Sequence, residues 1–153
     1  GINKTIGDLA GPMAFAILMG SSRAFYGKFG DRINLEHFMQ YSAVLCMVSY
    51  LMIAFIPGPA LGILGCAVCG LSVGIMWPGT FSMAAASVKR GGTALFALLA
   101  LAGDVGCSSG PTYVGMISGA LNDNLKMGIF AALIFPILMI VGIKMIVGLR
   151  KNA

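Results

Sequence analysis

Asp104 is the one charged residue between Arg90 and Asp123, and it stands near the middle of that apolar stretch. A carboxylate at bilayer depth costs at least ~2.5 kcal/mol, so it is rarely found there without a task or a partner. Gly103 precedes it, Gly106 and Cys107 follow, and Gly110-Pro111 come one to two turns later. Pro111 removes a backbone donor and loosens the helix near the carboxylate, and the glycines permit bending or close approach of a neighbour. A bent helix carrying a carboxylate at mid-depth suits a substrate or proton site of a transporter. The competing reading is a buried Asp bonded to a Ser, Thr or Tyr of another helix, where it holds a bundle together.

Trp77-Pro78-Gly79-Thr80 is the second candidate. A proline inside a long helix frees a carbonyl and kinks the axis, and the chain's lone tryptophan stands at that kink. Either the ring lines a cavity and stacks on a sugar or another flat ligand, or it anchors the helix at the membrane interface. Thr80, Ser82 and Ser108 add hydroxyls, although Ser and Thr in packed membrane helices commonly bond back to their own backbone. Cys66-Ala67-Val68-Cys69 has redox or zinc spacing but lies in an apolar helix with no second ligand pair, so the four cysteines read as small packing residues. His37 is the only histidine and sits at a loop end, too far in depth from Asp104 to build a catalytic triad. No nucleophile, base or metal set converges, and neither an enzyme nor a cofactor is expected.

The elements that must position these residues are membrane spans. Hydrophobic residues make up 58% of the chain and charged ones 10%, against about 25% charged in an ordinary soluble domain. From Phe38 to Val88 there is no charge at all, and the only break is Pro57-Gly58-Pro59. About 20 apolar residues cross a bilayer as a helix, so this stretch is two spans and a tight turn. Five helices are expected, over 9–27, 36–56, 60–87, 92–118 and 126–148. The first is the shortest in apolar length and needs Arg23 to snorkel, or Tyr26 and Phe29 to extend it. The fold class is all-α: a polytopic transmembrane bundle. The chain opens Gly1-Ile2-Asn3-Lys4 without an initiator Met or a signal-peptide pattern, and is expected to be part of a longer protein.

Orientation follows from Lys and Arg. Of the 10 such residues, Arg23, Lys28, Arg32, Lys89, Arg90, Lys144, Arg150 and Lys151 follow the first, third and fifth spans. Only Lys4 and Lys126 lie opposite. The first group marks the cytoplasmic side and places the C-terminus there. Basic residues so distributed set topology rather than bind nucleic acid. Small residues let helices approach and bulky aliphatic ones tolerate lipid. The glycine-rich third span and the fourth, with Ala97, Ala100, Asp104, Cys107, Ser108, Pro111 and Gly115 on one face, are therefore expected inside the bundle. The bulky fifth and the second, which has no glycine between Phe38 and Ile56, are expected at its edge. Gly70-xxx-Gly74, Gly106-xxx-Gly110 and Gly115-xxx-Gly119 all have close-packing spacing.

The first connection runs from Gly20 through Arg23, Gly27 and Lys28 to Gly30-Asp31-Arg32. Its plain reading is a charged loop that sets topology. Gly27, three residues, Asp31 and Arg32 also resemble the cytoplasmic loop motif of the major facilitator superfamily, and Arg23 fits the form found in the second half of those transporters. The motif's later Gly and paired basic residues are replaced by Ile33-Asn34-Leu35-Glu36. The resemblance covers the whole chain as the last five of twelve helices, and is nearest in texture to sugar and fucose-permease-type members. It implies that the first, third and fourth helices line a cavity, that Arg23, Gly27, Asp31 and Arg32 belong to a conformational latch, and that Asp104 faces the cavity. It also implies a bilayer, a small solute, protons and a missing N-terminal half as partners, and an inner or plasma membrane location.

Two functions are thereby expected to compete. One is a proton-coupled symport permease working by alternating access, with Asp104, Trp77, Thr80 and Ser108 at the substrate or proton path. The other is a non-transporting membrane subunit in which Asp104 pairs helices.

Overall fold

The computed structural model describes residues 4–88 and 91–152. Lys89 and Arg90 lie outside the described residues, as do the side chains of Lys4, Asp31, Arg150 and Lys151. The elements are α1 (Lys4–Phe29), a short 3-10 turn (Gly30–Arg32), α2 (Leu35–Phe55), α3 (Pro59–Val73), α4 (Met76–Ser87), α5 (Gly92–Ala120), α6 (Leu125–Ala131) and α7 (Ile134–Asn152). The fold is an all-α bundle. Leu35–Phe55, Pro59–Ser87, Gly92–Ala120 and Leu125–Gly148 are each long and apolar enough to cross a membrane, which marks an integral membrane protein. α1 is as long as these but carries Asp8, Arg23 and Lys28, and it is not among the four.

Local chemistry sets the ends. Asn34 caps α2 by accepting from the backbone N–H groups of Glu36 and His37, and Asn124 caps α6 by accepting from Met127. Between Pro57 and Pro59, Gly58 takes φ 128°, open only to a residue without Cβ, and Pro59 opens α3 at its first turn.

Two of the expected spans are broken, each four residues before a proline. Pro78 lacks the N–H that would bond to Gly74, and the helix is interrupted at Gly74-Ile75. Pro136 likewise leaves Ala132 without its usual donor, and the break falls at Ala132-Leu133. There the carbonyl of Ala132 accepts from the Phe135 N–H at 3.1 Å, tightening the turn.

Packing differs from the expected arrangement of spans. α2 is central: it touches α3, α4, α6 and α7, and 33% of its most apolar stretch is buried, the highest share of the four spans. It was expected at the edge because it has no glycine. Its buried residues, however, are Met39, Ser42, Ala43, Cys46, Ser49 and Ala54, so Ser, Ala and Cys provide the small surface that glycine provides elsewhere. The fourth span reverses the expectation as well. None of the most apolar stretch of α5 is buried among the described residues, although Gly103 lies against Trp77 and Ser118 is buried beside α6. The fifth span keeps Phe135, Ile137, Leu138 and Val141 exposed, as its bulk implied.

α1 runs closest along α3. A Cβ at Gly70 would strike the backbone of Phe15, and one at Gly74 would lie 2.8 Å from both the Met19 carbonyl and the Ser22 Cβ. The Gly70-xxx-Gly74 spacing is therefore a true close contact. The glycines at 106, 110, 115 and 119 have nothing within 4 Å of that position. Gly70→Leu is accordingly expected to lower the free energy of unfolding in detergent by about 1–3 kcal/mol, the usual cost of overpacking, while Gly110→Leu leaves it unchanged. Equal tolerance at the two positions would contradict the α1–α3 contact.

Candidate functional site

The break at Gly74 is closed from another helix. Arg23 on α1 donates its Nε–H to the Gly74 carbonyl at 3.0 Å, which is the acceptor that Pro78 leaves without a helical donor. The arginine read from sequence as a loop residue thus reaches back along α1 and stabilises the kink that presents Trp77. Tyr26 and Gly27, one turn further on α1, join Arg23, Ile75, Trp77 and Pro78 around a recess of about 310 Å³.

Trp77 is 47% exposed. The outer edge of its six-membered ring lies against Gly103 so closely that a Cβ there would overlap Cη2 and Cζ3. Gly103 therefore fits the indole, and Asp104 is the next residue along. Phe81 extends the contact: its ring lies 4.7 Å from Trp77 and stacks on Phe96 at 5.8 Å with 16° between planes. This aromatic ladder joins α4 to α5. At ~1.5 Å per residue, Trp77 lies about 15 Å from the end of α4 at Ser87, and Asp104 about 18 Å from the start of α5 at Gly92. Both stand well inside a hydrocarbon layer of about 30 Å.

Asp104 itself is exposed on α5. Ser108 donates to the Asp104 carbonyl at 2.7 Å, and Thr112 to the Ser108 carbonyl at 2.8 Å, so these hydroxyls bond back along their own helix. Ser108 lines a groove of about 410 Å³ on the open face of α5, with Thr112 and Tyr113 among its neighbours.

The residues singled out in the sequence are therefore only partly assembled. Arg23, Gly27 and Trp77 share one recess, and Gly103, the residue before Asp104, lies against the far edge of the indole. Thr80 is separate: its hydroxyl donates to the Met76 carbonyl at 2.7 Å, and its side chain borders an apolar cavity with Met83, Leu99 and Met139. Arg32 closes the 3-10 turn and is exposed, while the Asp31 side chain lies outside the described residues. Cys46 and Cys69 are buried in α2 and α3. Among the described residues no three His, Cys, Asp or Glu side chains gather into a group able to hold a metal ion. Sequence reasoning missed the Gly74 carbonyl and Tyr26, and it marked Gly103 as open to close approach without naming Trp77 as the neighbour. The first was legible, because a proline at 78 names residue 74 as the orphaned acceptor. The other two needed the helix pairing.

Compared with known proteins, the chain matches no family model, no curated protein and no solved structure.

If Arg23 holds the kink, its removal must cost less once the kink's cause is gone. Arg23→Met is expected to destabilise the bundle by about 1.5–3 kcal/mol, the scale of a hydrogen bond to a charged group. In a Pro78→Ala background, where residue 78 supplies the missing N–H, the same change is expected to cost clearly less. A double-mutant cycle read by unfolding checks this, and strictly additive effects would contradict it.

Proposed function

We propose that this chain is the C-terminal part of a secondary active transporter of the major facilitator type, carrying a small solute by alternating access with protons coupled through Asp104. One observation supports the reading most. The helix that carries the mid-depth carboxylate, α5, is apolar enough to span a membrane yet has no part of its most apolar stretch buried by the rest of the chain. Its uncovered surface holds Asp104, Ser108 and Thr112. Ionisable side chains in a membrane almost always face protein or a water-filled cavity rather than lipid. A path between this chain and an N-terminal half would satisfy all three residues at once.

The remaining roles follow the same reading. Trp77, with Arg23 and Gly27 beside it, borders the path, and Asp31 and Arg32 belong to the latch at the end of α1. The basic side of the bundle is cytoplasmic and holds the C-terminus, in an inner or plasma membrane. The sugar-permease likeness rests on sequence texture alone.

A second reading is favoured by the same open face. Gly106, Gly110, Gly115 and Gly119 meet nothing in this chain, so a partner helix can dock there and pair with Asp104, giving a non-transporting subunit.

Uptake separates the two. In proteoliposomes holding the whole protein under an imposed pH gradient, a panel of labelled sugars and organic acids is expected to include a solute that accumulates. Asp104→Asn is expected to abolish that accumulation, at least ~10²-fold below wild type as for loss of a proton-transfer group, while inserting normally and still exchanging solute. Full gradient-driven uptake by the variant would exclude coupling through Asp104. A reduced folding yield, with no uptake by the unaltered protein, would favour the subunit.

A further inference from the structure

The recess around Arg23 and Trp77 has a chemistry more specific than a generic solute path. A guanidinium offers five N–H donors in a planar fork. Here the Nε–H is committed to the Gly74 carbonyl, which fixes the plane of the group and leaves the two terminal nitrogens. Among the described residues no carboxylate pairs with Arg23. The cation is thus anchored at one edge, and no group among the described residues takes its paired Nη donors. An oxyanion can approach those donors end-on and accept two parallel hydrogen bonds.

The rest of the lining narrows the ligand. Pro78 and the Trp77 ring present apolar surface over the buried Ile75, and Tyr26 alone adds a further polar side chain. A sugar needs several hydrogen-bonding partners to compensate its hydroxyls when it leaves water, and this recess does not supply them. A flat apolar body can instead lie against the indole. The volume of about 310 Å³ is at the lower end for small-molecule sites, which favours a ligand of modest size. We infer that this recess is a subsite for a small organic acid, with its carboxylate on the Arg23 Nη atoms and its planar apolar body against Trp77.

The inference deepens the transporter reading and rests on it only for the fate of the ligand, since binding is measured without transport. Trp77 is the sole tryptophan, so fluorescence of the intact chain in nanodiscs of zwitterionic lipid reports the site directly. Benzoate is expected to change that fluorescence saturably and to bind roughly tenfold or more tighter than benzamide, its neutral counterpart, which is the scale of a charge-assisted pair. Glucose is expected to produce no saturable change. Arg23→Met is expected to remove the preference for benzoate, and Arg23→Lys, a point charge without the fork, to keep part of it. The benzoate–benzamide comparison in the unaltered protein does not depend on any variant folding. Equal binding of the two, saturable binding of glucose, no binding by any of the three, or wild-type preference in Arg23→Met would each overturn the assignment. Uptake of an uncharged solute together with any of those results would leave the transporter reading standing and remove only this one.

Discussion

In a hydrocarbon interior a backbone carbonyl that loses its donor has no water to turn to. The two proline breaks solve this differently. At Pro136 the carbonyl of Ala132 is taken locally by the Phe135 N–H. At Pro78 the Gly74 carbonyl is taken by a charged side chain from another helix. The second solution has consequences that the first does not. It ties α1 to the joint between α3 and α4, just ahead of Trp77 in the helix that resumes at Met76. The close contact of Gly70 and Gly74 with α1 makes this reach possible. Arg23, the kink and the indole are therefore parts of one arrangement.

Beyond that joint the bundle divides into a satisfied part and an open part. α2 buries a stripe of Ser, Ala and Cys against α3, and a cluster of Met39, Met83 and Ile143 packs α2, α4 and α7 together. α5 is held by fewer elements. The aromatic ladder joins it to α4, and α6 lies along its far end with Gly128 against the Val114 carbonyl. Asp104, Ser108 and Thr112 remain exposed, and Gly106, Gly110, Gly115 and Gly119 meet no neighbour among the described residues.

Much of this was legible in the residues. Span ends at 36–56, 60–87 and 92–118 fall within a few residues of the helix ends, the Pro-Gly-Pro turn being legible as a boundary, while the Asn34 and Asn124 caps emerge only in the structure. The breaks follow from the prolines by counting back four. Burial was less legible, for a definite reason. Glycine is one sign of a packed helix, but Ser42, Ala43, Cys46 and Ser49 do the same work in α2. On α5 the same small residues are left open, because texture says that a helix can be approached closely but not which partner approaches it. The site was half legible for a similar reason: Trp77 and Arg23 stand out by type, but their meeting depends on the Gly74 carbonyl, and the approach of the indole to α5 depends on Gly103; neither glycine carries side-chain chemistry of its own.

Native Cys107 gives the most direct reading of the central claim, that the Asp104 face of α5 meets water rather than lipid. It lies three residues from Asp104, and it is the exposed cysteine, whereas Cys46 and Cys69 are buried. The measurement is the labelling of Cys107 by a charged, membrane-impermeant methanethiosulfonate in sealed vesicles, with Cys107→Ser as the control. The predicted result is rapid labelling from at least one side of the membrane, lost in the control. Labelling no faster than in the control from either side, with the protein fully inserted, would contradict a water-lined face.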